Sequence, residues 1–143
     1  MEQPARQVPF RKAAPVLHGA LVVSSIATVG VVFFLRGGVP LALLPQARAL
    51  LTYVGFGAAV VIAAVAVAIR GRIPQLERGT DADAWWRANR GRLVAVWALC
   101  EVAVILGAVL WLLTDAQAVF VALTGTGLFL LAAYRPSKLL ETW

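Results

Sequence analysis

The chain has 143 residues, 61% of them hydrophobic and 14% charged, with a formal net charge of +6 and a mean hydropathy of +0.82. A soluble domain of this size keeps too much of its surface in water to hide that much apolar side chain, so the composition predicts one domain, residues 1–143, whose solvent is itself apolar. The basic residues lie outside the apolar runs, as at membrane edges rather than on a nucleic-acid surface. The lone cysteine and lone histidine exclude an internal disulfide, a bis-histidine haem within one chain and any metal site needing two histidines.

Four apolar runs are each close to the length that spans about 30 Å of hydrocarbon as a helix. Unpaired backbone groups cost too much in lipid for open strands, and the alternation of a barrel is missing. The first run, residues 16–35, follows a tail carrying Arg6, Arg11 and Lys12 and ends at Phe33 and Phe34. Its apolar core is about twice the length of a signal-peptide core. The nearest small-residue pattern, Ala47-Arg48-Ala49, lies well beyond it, so the run is expected to stay in the protein. His18 sits near the start of this run. It could ligate a porphyrin-type pigment or relay protons, but a single structural hydrogen bond is the expectation, and no cofactor is implied.

The next connection contains Gly37-Gly38, Pro40 and Pro45, residues that break helices, with Leu41, Leu43 and Leu44 placed to dip into the interface. The second run is 49–69. A long basic loop follows, in which Thr80-Asp81-Ala82-Asp83 reads as a helix start, with a small polar cap and acid in the first turn. From there residues 81–90 form either a short amphipathic helix on the membrane surface, with Trp85, Trp86, Arg87, Arg90 and Arg92 as contacts, or the early, protruding start of the third run.

The third run is 93–113 and the fourth 118–134. The connection Thr114-Asp115-Ala116-Gln117 is short enough to force a tight antiparallel hairpin, with Asp115 placed to cap the fourth helix. The expected fold is all-α, an antiparallel four-helix membrane bundle. Eleven Lys and Arg residues fall on the side of the N-terminus, second loop and C-terminus, against two, Arg36 and Arg48, on the other. That asymmetry puts both termini in the cytoplasm, and a bias towards Ala, Arg and Val suggests a bacterial inner membrane.

Glu101 is the residue most open to chemistry. It lies about 12 Å into the third run, where no Lys or Arg of the four runs can pair with it. An ionisable group at that depth must be neutral, buried or near water, and serves by default as a proton, ion or counter-charge site. The alternative is a carboxyl hydrogen-bonded to a neighbouring helix through His18, Ser24, Ser25 or Thr124. Cys100 reads as apolar packing. Small residues recur at four-residue spacing as Ala20, Ser24 and Thr28, as Gly55, Ala59 and Ala63, and as Ala103 and Gly107, strips that let helices approach closely.

Arg90-Gly91-Arg92-Leu93, then Cys100-Glu101 and Ile105-Leu106-Gly107-Ala108-Val109, resembles the second helix of ATP-synthase c-subunits, where a lone carboxylate carries the translocated ion. The resemblance implies that role for Glu101. It covers a short stretch of the third run. The preceding helix has only Gly55 and Gly57 where the family has a glycine-laced helix, and four-span relatives place the carboxylate in the last helix.

No phosphate loop, metal-spaced set, catalytic triad or dinucleotide fingerprint is present in the sequence, so enzymatic activity is not expected. Two functions remain. One is an accessory or scaffolding subunit of a larger membrane complex, in contact with other membrane subunits or its own copies and with anionic headgroups at the basic face. The other is a small oligomeric transporter or proton-conducting protein with Glu101 as coupling carboxylate.

Overall fold

The computed structural model describes residues 10–36, 45–76, 79 and 81–138, and among them every regular element is a helix. The helices are α1 (Phe10–Arg36), α2 (Pro45–Gly71), α3 (Ala82–Thr114) and α4 (Gln117–Ala133). The first three are long and apolar enough to cross a membrane, which suggests an integral membrane protein; α4, at 17 residues, is shorter. The expected roles of Leu41, Leu43, Leu44 and Thr80 lie outside the described residues.

The helix ends follow local chemistry. Pro45 opens α2 at a first-turn position, where a missing N–H costs nothing, so this proline starts a helix instead of breaking one. Asp81 is the N-cap of α3, its carboxylate accepting from the Asp83 N–H at 2.9 Å. Helix α3 then runs unbroken for 33 residues, about 50 Å. Residues 82–90 are therefore its first turns and not a separate surface helix.

Asp115 does not cap α4, whose N-cap is Ala116 with no side-chain bond. It closes α3 instead, in the left-handed conformation (φ 59°), with its N–H bonded to the Trp111 carbonyl. Aspartate tolerates this geometry better than most residues.

Helix α3 is the centre of the molecule. It packs against all three other helices, whereas α1 and α2 do not meet. Half of its most apolar window is buried, compared with 11% for α1 and 17% for α2.

The α3–α4 hairpin is drawn close by glycines. A Cβ on Gly127 would fall 2.5 Å from the Cys100 carbonyl oxygen, and one on Gly107 would fall 2.7 Å from Thr124 Oγ1. Gly55 admits Val119 and Leu110 in the same way, seating α2 against both helices of the hairpin. Of the three small-residue strips, those in α2 and α3 face inward. In α1, Ala20 and Ser24 face outward and only Thr28 is half-buried.

Helices α1 and α3 run parallel in a fixed register. The same offset of 79 residues separates His18 from Trp97, whose rings meet edge-on at 5.4 Å, and Arg36 from Asp115, which form an ion pair. Val32 and Trp111, buried in one cluster, share that offset. It places Val22 beside Glu101 and Ser25 beside Val104.

Candidate functional site

The α1–α3 seam holds most of the residues that the sequence singles out. At its basic end, His18 Nε2 lies 3.0 Å from the Leu131 carbonyl. A carbonyl only accepts, so Nε2 carries the proton in this arrangement. Leu131 is in the last turn of α4, where carbonyls have lost their helical donors. Trp97 supplies a second donor to the same helix end, its indole N–H reaching the Tyr134 carbonyl at 2.9 Å. One side chain from α1 and one from α3 thus satisfy the frayed end of α4.

Glu101 lies one turn beyond Trp97 on α3, half-buried at the edge of the buried arc that includes Trp97, Val104 and Ala108. Its carboxyl makes no hydrogen bond or ion pair with the described residues. None of the expected partners is joined to it: His18 is committed to Leu131, Ser24 is exposed with its carbonyl bonded to Thr28, and Ser25 and Thr124 are buried with hydroxyls that have no partner among the described residues. The structure brings these groups into neighbouring turns of α1, α3 and α4 without linking them.

Trp85 and Trp86, expected at the membrane surface, are both buried, at 7% and 1% exposure. Because α3 begins at Ala82, their rings lie on its inward arc. They pack with Phe10, Ala14, Ile73 and Leu76 around the α2–α3 turn. The Trp85 indole N–H donates to the Pro74 carbonyl at 3.1 Å. Arg87, Arg90 and Arg92 are exposed. Arg87 donates to the Asp83 carbonyl at 3.3 Å, and Arg92 to the Arg72 carbonyl at 3.2 Å and to Asn89 Oδ1 at 3.4 Å.

Asn89 was not anticipated. It is buried on α3, donating to the Trp85 carbonyl and accepting from Arg92. An asparagine four residues after Trp85 and three before Arg92 on one helix was the only signal for it.

At the opposite end, Trp111 stacks on Phe120 with ring centres 4.5 Å apart, meets Phe33 edge-on at 4.7 Å and lies 4.2 Å beneath the Arg36 guanidinium. The Arg36–Asp115 pair closes this aromatic cluster.

Comparison of the chain with known protein families, with characterised proteins and with solved structures finds no match. The functional reading therefore stands on the residues above.

Proposed function

We propose that this chain is a membrane-embedded accessory or scaffolding subunit of a larger complex, held in a bacterial inner membrane with both termini and the basic α2–α3 turn in the cytoplasm. The eleven-to-two distribution of Lys and Arg supports the orientation. The observation that carries the subunit reading is Glu101, half-buried on the central helix with no bonding partner among the described residues. A carboxyl at that depth is costly unless another group completes it. This chain has no Lys or Arg within its four apolar runs to do so. Two features support the same reading. Helices α1 and α2 do not cover one another, and α1 turns Ala20 and Ser24 outward, the kind of surface along which membrane helices approach.

The test is purification from native membranes in mild detergent, with mass spectrometry of what remains bound. A stoichiometric companion retained by the wild type and lost from Glu101→Ala is the expected result. A wild-type chain that emerges alone sinks the reading.

A second reading, a small oligomeric proton or ion conductor with Glu101 as coupling residue, is favoured by the buried Ser25 and Thr124 hydroxyls, which have no partner among the described residues and lie within a few turns of Glu101. Proteoliposome flux separates the two. Conduction requires pH-dependent flux that Glu101→Gln abolishes, and a scaffold gives none with either protein.

A further inference from the structure

The apolar run of α2 ends at Ile69 and that of α3 begins at Leu93, so Arg70, Arg72 and Arg92 flank the edge of the apolar layer, where Arg92 bonds across the turn to the Arg72 carbonyl. Two of the three guanidinium groups, those of Arg70 and Arg92, are fixed by bonds to the fold. Arg92 Nη1 is held by the Arg72 carbonyl and by Asn89 Oδ1. The Asn89 amide is oriented in turn by its own donation to the Trp85 carbonyl at 3.0 Å. Arg70 Nη1 donates to the Ile73 carbonyl at 3.3 Å, and Trp85 fixes the same turn through Pro74. These bonds satisfy carbonyls at the end of α2, a sufficient structural role for single N–H groups. But a guanidinium has five donors, and only Nη1 of Arg70 and of Arg92 is used. The Arg72 side chain bonds to nothing among the described residues.

No carboxylate of the described residues pairs with any of the three. The two acids of α3, Asp83 and Glu101, each lie nine residues from Arg92, about 14 Å along the helix. Three positive charges around one turn at the edge of an apolar layer, with no acid among the described residues paired to them, call for an anion. Above Arg92 on the same strip of α3, at successive intervals of seven residues, Leu99 and Leu106 are half-exposed and apolar. An acyl chain whose phosphate sits on the arginines would run along them.

We propose that Arg70, Arg72 and Arg92 form a discrete site for the phosphate of an anionic phospholipid at the α2–α3 turn. The proposal rests on the membrane reading above and is independent of the subunit reading.

The test uses the full chain reconstituted in phosphatidylcholine vesicles containing phosphatidylglycerol, with retained lipid read by native mass spectrometry. Arg72→Gln is the principal variant, because that side chain holds no part of the fold. Arg92→Gln is the second, and Arg87→Gln, five residues before Arg92 on α3 and fifteen beyond Arg72 in the chain, removes the same charge elsewhere on the basic face. The wild type is expected to retain phosphatidylglycerol over phosphatidylcholine, with Arg72→Gln lowering that preference about fivefold and Arg87→Gln leaving it unchanged. Equal losses from Arg72→Gln and Arg87→Gln would mean a diffuse basic surface and overturn the site. So would displacement of the lipid by soluble inorganic phosphate, or a wild type with no preference. A chain that fails to float with vesicles of either composition overturns the membrane reading itself and the site with it.

Discussion

His18 Nε2 donates to the Leu131 carbonyl at 3.0 Å across 113 residues of chain, tying the start of α1 to the end of α4. Few other contacts join these helices, whose packing is mostly through α3. His18→Ala removes the donor, leaves a half-buried carbonyl without a partner and abolishes the edge-on contact with Trp97. The expected loss is about 1–2 kcal/mol, read by denaturant unfolding in micelles followed by helical circular dichroism. His18→Phe keeps the ring contact and is expected to recover part of that loss. An alanine variant as stable as the wild type would show that the bond contributes nothing.

Two buried tryptophans of α3 should respond differently to the same change. The Trp97 indole N–H is bonded to the Tyr134 carbonyl, whereas the Trp86 indole N–H has no acceptor among the described residues. Trp97→Phe strands a carbonyl at the end of α4 and is expected to cost about 1 kcal/mol more than Trp86→Phe. Unfolding midpoints of the two variants, measured side by side, decide the matter; equal shifts would contradict the hydrogen-bond argument.

The glycines divide by what a methyl group would meet. At Gly127 and Gly107 it would run into backbone or a well-packed neighbour of the facing helix, and at Gly30 it would meet nothing within 4 Å. Gly127→Ala and Gly107→Ala are expected to destabilise by about 1–3 kcal/mol as α3 and α4 are pushed apart. Gly30→Ala is expected to be neutral or mildly stabilising through helix propensity. The same unfolding assay tests all three, and a harmless Gly127→Ala would rule out the close approach.

Asp115 has two roles that substitution can separate. Its ion pair with Arg36 is exposed, the side chains 39% and 57% accessible, and a pair of that kind contributes about 1 kcal/mol at most. Its left-handed backbone is the stronger constraint. Asp115→Gly gives up the pair but relaxes the backbone and should leave stability nearly unchanged. Asp115→Val loses both and is expected to cost about 2 kcal/mol. If glycine proves as damaging as valine, the ion pair and not the backbone governs the turn.

Much of the fold was legible because helix existence is a local property. The four apolar runs announce themselves by length alone, and the Asp81 cap and the short hairpin connection at Thr114 can be read from a few adjacent residues. The helix ends were less legible. α1 and α2 extend past their apolar runs, α2 starting at a proline that reads as a breaker when its neighbours in space are unknown. Trp85 and Trp86 show the same limit. Tryptophan beside arginine fits a membrane surface as well as a core, and only the continuity of α3, with Phe10, Ile73 and Leu76 to receive the rings, turns them inward.

Glu101 is the residue for which sequence and structure are most complementary. Its depth follows from counting along an apolar run, but its want of a partner does not, since His18, Ser25 and Thr124 all lie within a few turns of it. By itself, then, the sequence determines four helices, their approximate spans, the basic connections and one carboxyl deep in an apolar run, all of which follow from composition along a line. Tertiary structure decides which side of each helix is covered: His18 goes to Leu131, Asp115 closes α3, and α1 and α2 each pack on α3 without meeting. The physical reason is that helices apolar on every side carry little directional hydropathy. Their faces are chosen by where glycines admit a neighbour and where a few side-chain donors meet the open carbonyls of another helix.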